Sequence, residues 1–297
     1  MKRWFQWEAK SVVHIGSTLQ KCGNGPSGNN QISKQKRYMD DILAMFAPSD
    51  PDPLASIKVL NELCEDIGLP LAEDKYVPPT TLLTFLGIAI DTRHQTLVVP
   101  EDKLVKARVK IDGLLSRRKA KVRQILSITG LLAFICRAIP SGHPFLQRLF
   151  DVVRGKPKHI WVQDEKDTKQ DLRTWLRFLD TFNGTTLFPP VAQSRASEIE
   201  IYTDASLEGY GIVCGTSWIM QPFPKFLEPQ PSMTWREFYP ILVAVHAFES
   251  VLANKKVVFI TDNMGVFHII RSLTTPHTDI LDLLRQFVLQ CLNIKVI

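Results

Sequence analysis

The sequence predicts an α/β protein built in two parts. Three observations lead there. Residues 35–46 hold two adjacent acids between two short apolar-aromatic runs, the pattern of a β-hairpin. Two amphipathic, strongly basic helical patterns occupy residues 101–139. From residue 198 three short strand patterns precede a long helical pattern and a further buried strand. The 297 residues suffice for two domains, and a hydrophobic content of 45% with 22% charged residues belongs to a folded chain, which excludes wholesale disorder. No apolar run reaches the roughly 18 residues that span a bilayer, because Gly130 and Arg137 interrupt the longest one, Ile125 to Ile139. Glu8 and Lys10 break up any signal-peptide core after the basic Met1-Lys2-Arg3-Trp4. The expectation is an intracellular protein with no membrane partner.

In chain order, residues 1–32 lack periodicity and read as a loose lead-in, with a run of breakers from Cys22 to Asn30. Gln35 to Met39 and Ile42 to Phe46 are the expected hairpin strands, joined by Asp40-Asp41 as a two-residue turn. By itself that dipeptide is an ordinary polar turn. Asp52 is placed to cap a helix that has Pro53 at its first position and Leu54, Ile57, Leu60, Cys64 and Ile67 on one side, with Gly68 as its stop. Thr81 to Asp91 and Thr96 to Val99 are strand candidates, rich in Leu, Ile, Val and Thr. Helices are expected over Glu101 to Leu115 and Lys119 to Ile139, the second with Val122, Ile125, Ile128, Leu132 and Ile135 on one face, and over Asp167 to Phe182. Asn183-Gly184 and Pro189-Pro190 mark a domain boundary before Ser197.

The second part opens with strands over Glu198 to Asp204, Gly209 to Cys214 and Ser217 to Gln221. Then come a helix over Met233 to Leu252, a strand over Val257 to Thr261, helices over Gly265 to Leu273 and Leu281 to Cys291, and the start of an apolar strand at Asn293 to Ile297.

Charge is unevenly placed. From Glu101 to Ile160 there are 14 Lys and Arg against 4 acids, a surplus of +10, whereas Val191 to Ile297 carries 8 against 10. A basic segment of this kind, with Lys103, Lys106, Lys110, Arg117 and Arg118 at its start, suits a phosphate backbone, although a solvated helical surface has the same composition. The five cysteines are widely spaced with no Cys-x-x-Cys pair, which argues against a disulfide framework or a zinc site.

Three acids stand where a strand-based metal site needs them. Asp204 ends one expected strand, Asp262 ends another, and Glu237 lies in the first turn of the long helix, in Trp235-Arg236-Glu237-Phe238. If the two strands are neighbours, their carboxylates meet at one sheet edge. Hard oxygen ligands from separate elements suit Mg²⁺, and two such ions about 4 Å apart activate a water and stabilise the leaving oxygen of a phosphodiester. Taken singly, the same acids read as caps or turn residues. Trp235 and Phe238 suit either stacking on nucleic acid or core packing.

From Lys36 to Ile297 these motifs, in this order, resemble the reverse transcriptase–ribonuclease H region of retroelement polyproteins, DIRS-type elements first and gypsy-type next. Tyr38-Met39-Asp40-Asp41 is similar to the family's palm hairpin, whose two acids help hold the polymerase metals. The resemblance implies a role for Lys75 at the incoming nucleotide's phosphates and for Phe85-Leu86-Gly87 in gripping a primer end. It makes the basic helices a thumb and connection that bind an RNA–DNA hybrid. Thr203-Asp204-Ala205-Ser206, Glu237 and Thr261-Asp262-Asn263 match the first three acids of the ribonuclease H site, with Ser206 and Asn263 beside the nucleic acid. The implied layout is a lead-in over residues 1–32, a palm remnant over 33–100, a basic helical thumb and connection over 101–190, and a ribonuclease H-like mixed sheet with helices over 191–297. The implied cofactor is Mg²⁺ of the two-metal kind, with Mn²⁺ as a substitute. Two departures stand out. The family's palm uses a third Asp on an upstream strand, where residues 1–35 hold only Glu8, and the family's fourth ribonuclease H acid follows the strand expected at residues 293–297. The resemblance therefore implies a polymerase part inactive alone and an impaired second site; the alternative is a catalytically dead nucleic-acid-binding remnant.

Overall fold

Turn chemistry and apolar periodicity divide the chain into short elements. The computed structural model describes residues 11–16, 34–38, 41–46, 52–66, 68, 76–94, 96–163, 166–183, 186–187, 198–224 and 231–296. The first elements are β1 (Ser11–Gly16), β2 (Lys34–Tyr38), β3 (Asp41–Phe46), α1 (Pro53–Asp66), β4 (Leu82–Phe85), β5 (Ile88–Asp91), β6 (Thr96–Val98) and α2 (Glu101–Leu115). Then come β7 (Lys119–Lys121), α3 (Val122–Ile135), a 3₁₀ turn at Pro140–Phe145, α4 (Gln147–Val153), β8 (Trp161–Gln163), α5 (Lys166–Thr181) and β9 (Thr186–Leu187). The last are β10 (Glu198–Ala205), β11 (Gly209–Cys214), β12 (Ser217–Pro222), α6 (Met233–Ala247), α7 (Glu249–Leu252), β13 (Lys256–Ile260), α8 (Met264–Ser272) and α9 (Thr278–Ile294). The chain is thus mixed α and β, as expected. It forms two compact units: residues 1–109, 137–139 and 177–191, and residues 110–136, 140–176 and 192–297.

In the first unit β3 is the central strand of an antiparallel sheet ordered β1-β3-β2. Three expectations change here. Ser11–Gly16, read as part of a loose lead-in, is a strand: Ser-Val-Val-His-Ile-Gly is too short to show a period, and pairing with β3 is what holds it extended. Asp41, read as half of a turn, opens β3 and pairs with Tyr38, so the hairpin register lies one residue earlier than expected. The partner of Asp41 on β1 is Gly16, and β1 carries no acid. Thr81 to Asp91, expected as one strand, is a hairpin. Leu86 and Gly87 both take positive φ, 48° and 78°, which is the tight turn that matches strand twist. Asp52 caps α1 as expected, its Oδ1 accepting from the Ala55 N–H at 3.1 Å, and Gly68 at φ 72° closes the helix.

The second unit holds a four-stranded sheet ordered β12-β11-β10-β13. Its first three strands are antiparallel, and β10 and β13 run parallel. One face carries Ile201, Thr203, Tyr210, Ile212 and Cys214, all buried, and α6 packs over it. Beside α6 lies α9, with Phe287 edge-on to Phe238 of α6 and to Phe259 of β13. Three expectations change. Lys119–Lys121 pairs with β8 as a strand, so α3 starts at Val122, though its predicted apolar face is buried as expected. The long helix breaks after Ala247 into α6 and α7. The strand expected at Asn293 to Ile297 is instead the end of α9: Ile280, Leu284, Phe287, Val288 and Ile294 continue a helical period, and Lys295 stops it in the left-handed region.

A buried charge cluster ties helices of this unit together. Asp171 of α5 has no exposed surface and pairs with Arg285 of α9 and with Arg148 of α4, the latter at 3.7 Å. Arg148 also reaches Asp282 at 2.9 Å, and the Arg285 guanidinium lies 4.8 Å above the Phe145 ring. Burial, followed by repulsion from Arg148, pushes Arg285 down to about 10, so it stays charged near neutrality.

Candidate metal centre

The strand register brings the acids together. Tyr202 of β10 lies opposite Ile260 of β13, and the strands are parallel, so both run out at the same sheet edge. Asp204 and Asp262, each two residues further on, arrive there side by side. The serine at residue 232 caps α6, accepting from the Trp235 N–H at 3.3 Å, and places Glu237 one turn into the helix rather than in its first turn. Arg236, only 5% exposed, fixes that turn. It donates to the carbonyl oxygens of Leu207 and Pro231, and its guanidinium stacks 5.1 Å from the Phe223 ring. One carboxylate oxygen from each of Asp204, Glu237 and Asp262 lies within 4.8 Å of the other two.

These groups have different surroundings. Asp204 and Asp262 are exposed, whereas Glu237 is 5% exposed and its Oε2 has no hydrogen-bond partner among the described residues. A buried carboxylate with an unpartnered oxygen, set beside two further carboxylates, is costly unless something positive joins it. Burial first, then the charges of Asp204 and Asp262, push Glu237 up to about 7, while the Ala205 N–H pulls the other way. A hard divalent cation answers all of these features, since it takes oxygen ligands and removes the repulsion.

The sign of the pH effect follows. A carboxyl group whose folded-state pKa is raised favours the folded protein while protonated, and that contribution is lost as pH rises through about 7. Glu237→Gln should therefore stabilise the metal-free protein by on the order of 2 kcal/mol near pH 8, with the gain vanishing below about pH 5. Thermal unfolding of both proteins across that range in a chelating buffer checks this.

The other sequence-predicted residues are placed as follows. Ser206 and Asn263 flank the acids but use their side chains locally. The Ser206 Oγ accepts from the Gly209 N–H at 3.1 Å, and Asn263 caps α8 by accepting from the Val266 N–H at 3.1 Å. Trp235 and Phe238 are buried, and Trp235 stacks on Tyr239. Phe85 is in the first unit's core with Leu43 and Leu83, and Leu86 packs against it. Lys103 and Lys106 lie on α2 in the first unit, Lys103 pairing with Asp102 at 3.1 Å. In the second unit Lys110 donates to the Ser127 Oγ and, with Arg117 and Arg123, lines a cleft of about 370 Å³, while Arg118 is exposed nearby in sequence. Asp40 and Lys75 lie outside the described residues, and of Asp41 the structure gives the backbone pairing. Arg236 is not among the residues expected from the sequence; its one signal there is a cation set between Trp235 and Glu237 at the head of an apolar stretch.

Fold and site together define a mixed α/β protein with a three-carboxylate cluster, suited to a divalent cation, at the carboxyl ends of parallel strands. No family model matches the sequence, and no curated protein matches it. Three similar solved structures are foamy viral protease–reverse transcriptases. One, described as dRH and bound to double-stranded DNA, is 12% identical, with 100% of this chain and 59% of that chain covered and a TM-score of 0.46. Another, bound to an RNA/DNA hybrid, is 12% identical over 94% of this chain and 43% of that one, with a TM-score of 0.45. A third, bound to double-stranded DNA, is 13% identical over 90% and 62%, also with a TM-score of 0.45. The chain spans less than two thirds of each. No described helix is long and apolar enough to cross a membrane.

Proposed function

We propose that the chain is part of a retroelement reverse transcriptase whose ribonuclease H-like unit cleaves phosphodiesters of an RNA–DNA hybrid with Mg²⁺. The convergence of Asp204, Glu237 and Asp262 within 4.8 Å, around a buried carboxylate oxygen without a partner, carries this reading. A bound divalent cation supplies a water of lowered pKa and a counter-charge for the leaving oxygen. Asp204 and Asp262 are exposed at the sheet edge, where a phosphate can reach them, and Glu237 is buried beside them. Arg236 acts as a positioning residue by holding the turn of α6 that carries Glu237. Lys110, Arg117 and Arg123 offer phosphate contacts. The DIRS-type affinity rests on the sequence motifs alone.

The Asp40-Asp41 hairpin has a weaker claim to chemistry. The strand beside β3 offers Gly16 where a third carboxylate would be needed, which supports a polymerase part that is inactive alone. Incubating the purified chain with a labelled RNA–DNA hybrid, with and without Mg²⁺, tests the proposal. Mg²⁺-dependent cleavage of the RNA strand is the expected result, with binding that weakens steeply as salt rises. Salt-sensitive binding without cleavage at any metal concentration would instead identify a catalytically dead nucleic-acid-binding remnant.

A further inference from the structure

Between Arg117 and Gln163 the chain holds ten Lys and Arg against one acid, Asp151, and that acid pairs with Arg154 at 2.8 Å. The fold gathers part of this surplus on one surface. Strands β7 and β8 form an antiparallel ribbon in which Lys119 lies opposite Gln163, Ala120 opposite Val162 and Lys121 opposite Trp161. Ala120 and Val162 are buried, so strand alternation puts Lys119, Lys121, Trp161 and Gln163 together on the outer face. Trp161 is 55% exposed, and Lys121 Nζ lies 5.2 Å from the centre of its ring. The residues leading into β8 are held against the start of α3: the Val122 N–H donates to the Ile160 carbonyl oxygen and the Arg123 N–H to that of Lys158, each at 3.0 Å. Those bonds bring Lys158 alongside Arg123. Lys119, Arg123 and Lys158 are exposed and form no ion pair among the described residues.

We propose that this ribbon is a second nucleic-acid site, which holds a sugar–phosphate backbone through Lys119, Lys121, Arg123 and Lys158, with Trp161 laid against it, and needs no metal. Its elements, β7, β8 and the start of α3, supply none of the three acids, so the site goes beyond the proposed cleavage and does not depend on it. A solvated face ordinarily interleaves both signs of charge; this one has cations crowded together, and a polyanion relieves their repulsion while releasing its own counterions. Lys119 and Lys121 stand two strand residues apart, about 7 Å, which is the scale of one nucleotide's advance along a strand. The Trp161 ring adds a flat surface for a sugar or a base next to those cations. A lipid surface suits the ribbon less, because inserting Trp161 would carry the Lys121 ammonium toward the acyl chains. The consequence is that the chain holds a hybrid whether or not the acid cluster carries a cation.

The test is fluorescence anisotropy of a labelled RNA–DNA hybrid with the full chain in EDTA, over a range of salt. Binding is expected to persist without metal. Lys119→Gln together with Lys158→Gln should weaken it at least about tenfold at low salt and reduce the slope of log affinity against log salt by about two, whereas the same pair changed to Arg should bind as the unsubstituted chain does. Trp161→Ala should weaken binding about fivefold to tenfold with the slope unchanged, and Trp161→Phe should recover most of that. Binding that vanishes in EDTA, or that the Gln pair and Trp161→Ala both leave unchanged, would overturn the proposal. So would tighter, Trp161-dependent binding to phosphatidylserine vesicles than to the hybrid, because the face would then belong on a lipid surface. Cleavage assays in Mg²⁺ separate this site from the cleavage reading. Ribbon-dependent binding with no cleavage by the unsubstituted chain removes that reading and leaves the ribbon, whereas Mg²⁺-dependent cleavage with binding insensitive to the ribbon variants does the reverse.

Discussion

Asp204→Asn should reduce Mg²⁺-dependent cleavage of a hybrid by at least about a hundredfold. The substitution keeps the side chain's size and removes the charge that reaches the open edge of the sheet. It should not unfold the protein. Asp204 is exposed, and its charge is, after burial, the leading reason Glu237 is pushed up to about 7. The variant should therefore be at least as stable as the unsubstituted chain near pH 8 without metal, and the pH midpoint of its residual metal binding should move to lower pH, because Glu237 ionises more readily. Loss of cleavage with full or raised stability is the signature of a ligand. Loss of both would mark Asp204 as structural.

The second large effect concerns stability. Asp171→Ala should cost about 3–5 kcal/mol, read from the midpoint of denaturant unfolding. Asp171 is wholly buried between Arg148 and Arg285. Arg148 keeps Asp282, but Arg285, 8% exposed, would lose its buried counter-charge, retaining the Phe145 ring. The penalty comes from that stranded cation more than from the pair itself, so Asp171→Leu combined with Arg285→Met should recover most of it. An equally severe double variant would mean that shape rather than charge holds α4, α5 and α9 at this point.

The meeting of the three acids was largely legible in the sequence, for a physical reason. Strand ends are marked by the switch from an apolar-rich run to Thr-Asp, and an acid in that position has few places to go except the sheet edge. Asp204 and Asp262 therefore declared themselves, while their adjacency needed the parallel pairing of β10 and β13. Helix caps such as Asp52 were equally readable, because the interaction is local. What could not be read was whatever depends on distant partners. Ser11–Gly16 is extended because β3 is beside it, and Asp41 joins β3 by a one-residue choice of register. The end of α9 had a five-residue apolar window that suits either strand or helix, and burial of Ile294 decided it. Nothing in the spacing of Arg148, Asp171 and Arg285 foretells a shared buried site, and Phe85, expected at a primer, is core because of Leu43 and Leu83.

Calorimetric titration of the chain with Mn²⁺, repeated in buffers of different ionisation enthalpy, measures both uptake and the protons released. With Glu237 held near 7 before binding, uptake at about pH 6 should release close to one proton, uptake at about pH 8.5 almost none, and Glu237→Gln should remove the difference. No uptake, or uptake that releases the same number of protons at both pH values, would contradict a metal centre at Asp204, Glu237 and Asp262.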